Sequence, residues 1–211
     1  MSYSDDFIAA FAACPLVAIL RGVKPDEVEA IGDVLVESGF RLIEVPMNSP
    51  QPLDSIARLT NRFAGTDVLV GAGTVLDVDQ VAQVQNAGGS LMISPNCDVD
   101  VIAETSRRGL VSIPGIATPS EAFAAVKAGA NAIKLFPAEA FEPIVIKAMR
   151  AVLPKDLRIL PVGGITPDNC GPWLAAGAAG FGLGSALYKP GMTAEEVRGH
   201  AQAFQKSLGV I

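Results

Sequence analysis

"TPSEAFAAVKAGANAIKLF" (118–136) holds one complete helix-to-strand unit, and its punctuation marks where each part starts and stops. Thr118 suits a helix N-cap, Pro119 suits the first helical position, and Glu121 completes a capping box with Thr118. Gly129 then supplies a left-handed stop. The following "NAIKLF" (131–136) has the short, apolar, not strictly alternating pattern of a parallel strand covered on both faces. Lys134 is the anomaly in that strand, because Ala132, Ile133, Leu135 and Phe136 around it are all suited to burial.

The unit repeats. Strand-sized apolar runs recur as "LVAIL" (16–20), "RLIEV" (41–45), "DVLVG" (67–71), "SLMIS" (90–94), "LVSIP" (110–114), "RILPV" (158–162) and "AGFGLG" (179–184). "KPDEVEAIGDVLVESG" (24–39) follows the same helix logic, with Pro25 at the start, acidic residues in the first turn and Gly39 at the end. Helix-ending glycines at 39, 65, 88, 109, 129 and 177 give a unit of roughly 20–26 residues, or about twice that across the gap. Eight such units predict an α/β fold of the (β/α)8 TIM-barrel class at the small end of its size range, with residues 4–13 as an extra helix under its floor. A single domain over 1–211 is expected. A leucine-rich solenoid has a similar period, but its LxxLxLxxN repeat is missing. A doubly wound dinucleotide fold is disfavoured because "GAGTVL" and "GLGSAL" both lack a third fingerprint glycine.

Composition narrows the function classes. Half the residues are apolar and 18% are charged, which describes a packed globular chain. The single histidine, His200, sits in a helical pattern, so histidine-based zinc sites and Ser-His-Asp triads are effectively excluded. Cys14, Cys97 and Cys170 are odd in number and widely spaced, giving no disulfide framework. A net charge of -6 with scattered Lys and Arg argues against a nucleic-acid partner. No apolar run approaches a bilayer span, and the acidic "MSYSDDF" (1–7) is unlike a secretion signal, so no membrane partner and a cytoplasmic location are expected.

In a barrel of this class the chemistry lies at the C-terminal ends of the strands. Several polar residues fall there: Arg21 after the first strand, Glu44 inside the second, Thr74 after the third, Lys134 inside the sixth, Gly163–Gly164 after the seventh and Gly184–Ser185 after the eighth. Strand alternation predicts that an inward Lys134 takes Ala132 and Phe136 with it and turns Ile133 and Leu135 toward the helices. An inward Glu44 likewise puts Ile43 and Val45 outward, so that two opposite charges face each other across an apolar interior. The bland interpretation of that pair is a structural ion pair. The functional one is a desolvated amine that attacks a carbonyl, with a carboxylate that moves protons. "PVGGITPDN" (161–169) and "GLGSALY" (182–188) offer glycine-exposed amides, with a helix expected to start at Thr166–Pro167, where barrels commonly hold phosphate. Arg21 offers a planar fork for a carboxylate, although a surface arginine after a strand is equally ordinary.

"ILRGV", "LIEVPMNSP", "VGAGTVL", "ISPN", "IPGIATPSEA", "IKLFPAEAF", "PVGGITPDN" and "GLGSALY" together, in this order along nearly the whole chain, resemble the short class I aldolases of the KDPG/KHG family. The resemblance implies that Lys134 is the Schiff-base lysine and Glu44 the general acid/base. It places Arg21 and Thr74 at the substrate carboxylate, and Gly163, Gly164, Gly184 and Ser185 at the phosphate. It implies a phosphorylated 2-keto-3-deoxy sugar acid and pyruvate as ligands, no cofactor or metal, and a homotrimer. Two departures point to the galactonate-type branch. Asn48 stands where gluconate-type relatives carry an arginine, with Arg21 serving instead, and Val162 replaces a threonine before the glycine pair. The nearest rival function is cleavage of the gluconate epimer, alone or alongside the galactonate one; a non-covalent phosphosugar isomerase or epimerase and a sugar-phosphate-binding module are more distant.

Overall fold

The computed structural model describes residues 3–209; Met1, Ser2 and residues 210–211, which belong to the expected 1–211 domain, lie outside it. The first helix is α1 (Tyr3–Ala13). Strands and helices then alternate as β1 (Leu16–Ile19), α2 (Val28–Glu37), β2 (Leu42–Pro46), α3 (Pro52–Arg62), β3 (Leu69–Gly73), α4 (Val78–Asn86), β4 (Leu91–Ile93) and α5 (Val99–Arg107). The second half runs β5 (Val111–Ile113), β6 (Gly115–Ile116), α6 (Pro119–Ala128), β7 (Ala132–Leu135), α7 (Ile144–Arg150), β8 (Arg158–Pro161), α8 (Cys170–Ala175), β9 (Phe181–Leu183) and α9 (Ala194–Ser207).

The strands pair in parallel as a curled sheet made of two ladders, β5-β4-β3-β2-β1-β9 and β6-β7-β8. The expected run "LVSIP" is where the ladder divides. Pro114 has no amide hydrogen to give to a ladder. The residues before it pair with β4, and Gly115–Ile116 pair with β7. Backbone bonds still cross the seam: the Asn131 amide donates to the Ser112 carbonyl at 2.9 Å and the Lys134 amide to the Pro114 carbonyl at 2.8 Å. At the other side Val162 and Gly182 form an isolated parallel bridge.

Helix α6 has the anticipated capping box, with Thr118 Oγ1 accepting the Glu121 amide at 3.3 Å and Glu121 Oε2 accepting the Thr118 amide at 2.8 Å. Gly129 ends it at φ 102°. Among the boundaries that differ from the sequence reading, three have a clear local cause. Helix α2 starts at Val28 instead of at Pro25, because residues 25–27 form a turn in which Glu27 Oε1 accepts the Lys24 amide at 3.0 Å. Strand β3 runs two residues later than "DVLVG", since its pairing with β2 continues through Gly71 opposite Glu44 and Gly73 opposite Pro46. Helix α8 starts at Cys170 and not at Thr166–Pro167, because Asn169 Oδ1 takes the Thr166 amide at 3.0 Å and holds the segment as a loop.

The core has two shells, as strand alternation requires. Ile43, Val45, Ile133 and Leu135 point outward and pack with the helices. Val17, Leu42, Leu69, Leu91, Val111, Ala132 and Leu160 point inward and meet Phe7, Ala10 and Phe11 of α1. Helix α1 therefore covers the N-terminal end of the strands. Its Phe7 and Phe11 rings have centroids 5.6 Å apart, and the Arg158 guanidinium lies 5.8 and 5.5 Å from their centres.

Candidate active site

β2 and β7 carry the two charges toward the interior, and both are buried, Glu44 at 1% exposure and Lys134 at 5%. They do not form the structural ion pair that such a placement suggests. Among the described residues, no contact within 4.0 Å joins the Lys134 ammonium to the Glu44 carboxylate. Instead both line one narrow void of about 10 Å³ with apolar neighbours such as Ile19, Ile93, Ile113 and Leu160. Glu44 Oε2 has no hydrogen-bond partner. An unpartnered polar atom in a sealed core is unfavourable by about 1–3 kcal/mol, which is why such atoms are rare outside functional sites.

Burial sets the proton affinities of both groups. It pushes the Glu44 carboxyl up from 4.5 to about 7, against the opposing pull of the Lys134 and Arg21 charges. Lys134 is pushed down, first by desolvation and further by Arg21, with Glu44 working the other way. Its Nζ lies 4.7 Å from the centre of the Phe136 ring. The arrangement is an amine biased toward its neutral, nucleophilic form beside a carboxyl able to give or take a proton near neutrality.

Above this pair a cleft of about 180 Å³ brings together Arg21, Lys134, Val162, Gly163, Gly164, Gly184 and Ser185. Ile19, Val162 and Gly182 line both the cleft and the void beneath it, so Glu44 sits just below the cleft floor. Thr74 and Asn48 do not line the cleft but reach it through Arg21, whose Nη1 donates to Asn48 Oδ1 at 2.6 Å and whose Nη2 donates to Thr74 Oγ1 at 3.5 Å. Thr74 adopts φ 56°, a left-handed conformation that a β-branched residue takes only when its surroundings enforce it.

The glycine loops form the far wall. Gly163 and Gly164 have φ of 108° and 67°, where a side chain is strained, and Asn169 Nδ2 braces them by donating to the Gly164 carbonyl at 2.8 Å. Among the described residues, the amides of Gly164, Ser185 and Ala186 donate to no protein acceptor. The helix N-terminus anticipated at Thr166–Pro167 is not the source of that character. Helix α8 begins six residues after Gly164, and the segment after β9 is a turn in which Gly184 O accepts the Leu187 and Tyr188 amides. Loop amides alone form the anion-favouring surface.

A roomier groove of about 520 Å³, lined by Tyr3, Asp6, Phe63 and Ser90 among others, contains none of the expected site residues. The buried charges and free amides favour the smaller cleft. Among the described residues, no cluster of His, Cys, Asp or Glu is placed to hold a metal ion. No helix among them is long and apolar enough to cross a membrane. Sequence reasoning passed over Asn169 as the loop brace and Gly73 beside Glu44. The signal for Gly73 is present in "GAGT", next to Thr74.

Comparison with known proteins defines the class. A family model described as KDPG and KHG aldolase matches residues 8–200, and the chain belongs to that family. The 2-dehydro-3-deoxy-6-phosphogalactonate aldolase of Escherichia coli (strain K12) is 45% identical over 193 residues, which is 92% of this chain and 94% of that protein. A solved structure described as native KDPGal superposes with a TM-score of 0.91 at 44% identity, over 93% of this chain and 95% of that one. The KDPG aldolase of Legionella pneumophila, solved with pyruvate captured at low pH as a covalent carbinolamine, gives a TM-score of 0.79 at 26% identity over 96% of each chain.

Proposed function

We propose that this chain is a class I aldolase that reversibly cleaves 2-dehydro-3-deoxy-6-phospho-D-galactonate to pyruvate and D-glyceraldehyde 3-phosphate. The observation that carries the reading is a buried lysine with a depressed proton affinity, free of any carboxylate contact, sharing a void with a carboxyl poised near 7. Lys134 Nζ attacks the C2 ketone, and Glu44 moves the protons that convert the carbinolamine to an iminium. Removal of the C4 hydroxyl proton breaks C3–C4, and the bonding pair passes into the iminium to leave an enamine as the aldehyde departs. Protonation at C3 and hydrolysis release pyruvate and restore the amine.

Arg21, held by Asn48 and Thr74, is placed to take the substrate carboxylate as a bidentate partner. The amides around Gly163, Gly164, Gly184 and Ser185 suit the phosphate at the far end. The parallel ladders, the bonds across the Pro114 seam and the Val162–Gly182 bridge support a closed (β/α)8 barrel forming one domain over 1–211. A homotrimer is the assembly that the family resemblance supports, to be read as three times the chain mass of 21.8 kDa by light scattering, and the cytoplasm is the location in keeping with the acidic N-terminal sequence.

The decisive test is borohydride reduction with pyruvate, followed by peptide mass spectrometry. A reduced pyruvyl adduct on Lys134 is expected. Folded protein that gives no adduct under conditions that label another class I aldolase would remove the covalent mechanism.

A further inference from the structure

Lys134 and Glu44 can serve as nucleophile and proton carrier only while the carboxyl stays clear of the ammonium. The neighbouring strand shows what gives it that freedom. Gly73 ends β3, paired in parallel register with Pro46 of β2. A Cβ on Gly73 would fall 1.3 Å from Glu44 Oε2, 2.5 Å from its Cδ and 3.0 Å from Oε1. No non-bonded atoms approach so closely, so the carboxyl occupies the volume that any other side chain at position 73 would fill. Gly73 does not have the left-handed φ found at Gly163 or Gly164, so the backbone here does not demand glycine and the space does. Glu44 has little room to retreat, being 1% exposed and walled by Ile19, Ile93 and Ile113, and the void it shares lies toward Lys134.

We propose that Gly73 is a positioning residue for the aldol chemistry: the space left by its missing side chain seats the Glu44 carboxyl on the β3 side of the interior, out of contact with Lys134. A methyl group there pushes the carboxyl toward the ammonium. The two then form the ion pair that the native chain avoids, which holds the amine protonated and occupies the proton carrier. This rests on the aldolase reading above.

Gly73→Ala in the full chain tests it. Because general acid–base catalysis contributes about 10²–10⁴-fold, kcat at neutral pH is expected to fall on the order of 100-fold with KM little changed. The activity optimum moves to more alkaline pH, since the lysine now needs a higher pH to lose its proton. Glu44→Asp withdraws the carboxyl by one methylene, so it should lower kcat by a clearly smaller factor in the Gly73→Ala background than in the wild type. A wild-type kcat and pH profile in Gly73→Ala, or an equal cost of Glu44→Asp in both backgrounds, overturns the proposal.

A thermal cycle keeps the test sharp if Gly73→Ala folds poorly. In a Glu44→Ala background the contested space is empty, so Gly73→Ala should then lower Tm far less than in the wild type. An equal Tm loss in both backgrounds overturns the proposal without reference to activity. Failure of wild-type protein to trap pyruvate on Lys134 would instead count against the aldolase reading, and the thermal cycle would still judge the seat.

Discussion

The two ends of the parallel strands are built from the same chain segments and packed by opposite rules. At the N-terminal end, α1 drives Phe7 and Phe11 against Val17, Leu42 and Leu69, and the Arg158 guanidinium lies within cation–π range of both rings. Both rings are buried there, and burying a phenyl side chain of this kind contributes about 1.5–3 kcal/mol. At the C-terminal end, the same strands offer a buried ammonium and a buried carboxyl that do not touch, glycines in place of side chains, and amides without acceptors. The contrast teaches that stability is concentrated at the floor and that the mouth is kept in a condition that packing would otherwise remove. Substitutions should therefore separate the two ends, losing activity without stability at one and stability without activity at the other.

Lys134→Met should break the comparison most visibly. It replaces the amine with an apolar side chain of similar length. The covalent path disappears, so kcat is expected to fall on the order of 10⁴-fold or more, read in a coupled assay for pyruvate release. Tm at neutral pH should rise. A lysine whose proton affinity is depressed on folding contributes stability only above its ordinary value of 10.5, and that contribution is lost as pH falls through the folded value. The buried ammonium is thus unfavourable near neutrality, and methionine removes it.

Glu44→Gln sharpens the same point with a smaller effect. We expect kcat to drop about 10²–10⁴-fold, and the limb near 7 in the pH profile of kcat/KM, which reports groups of the free enzyme, to vanish. The stability consequence follows from a carboxyl raised from 4.5 to about 7 on folding: its contribution is complete below 4.5 and is lost as pH rises through 7. Across that window the wild type should lose on the order of 3 kcal/mol from this group, and Glu44→Gln should show a flatter dependence in denaturant titrations at pH 5 and 8.

At the floor, Phe7→Ala should do the reverse. The ring is 1% exposed, and such truncations remove about 3–5 kcal/mol of stability. The kcat of the folded fraction should stay near that of the wild type, because the cavity opens at the other end of the strands from Lys134 and Glu44. A large kcat loss in folded Phe7→Ala would show that the two ends are mechanically coupled and that the division is false.

Much of this was legible in the chain because the signals were local or periodic. The box at Thr118–Glu121 and the stop at Gly129 fix α6 by hydrogen bonds inside a few residues, and alternation alone aims Lys134 and Glu44 inward while turning Ile133 and Ile43 out. What was not legible depended on contacts between strands. The shift of β3 onto its glycines depends on register with β2. The division at Pro114 depends on which neighbour each flanking residue faces. The absence of a Lys134–Glu44 ion pair depends on the space left at Gly73, a property of a third strand that no reading of the other two contains. The Asn169 brace that delays α8 is a short-range signal, but "TPDN" supports a helix start and a loop about equally well before tertiary contacts decide.

The finest distinction lies at one methyl group. Val162 is 6% exposed in the cleft wall, its Cγ2 fills the space over Gly182, and it shares both the cleft and the underlying void with Lys134. The galactonate and gluconate substrates differ only in the configuration at C4, whose hydroxyl must lose its proton for C3–C4 to break. A threonine at 162 is nearly isosteric and brings a hydroxyl that can hydrogen-bond one epimer's C4 oxygen and not the other's. A single polar contact of this kind changes discrimination by roughly tenfold when the site was not built around it. Val162→Thr should therefore lower the ratio of kcat/KM for the galactonate over the gluconate epimer by about that factor, with a modest loss of Tm from the desolvated hydroxyl. If the ratio does not move, the epimer is read at the Arg21–Asn48–Thr74 side of the cleft, and Asn48→Arg becomes the substitution that should shift it.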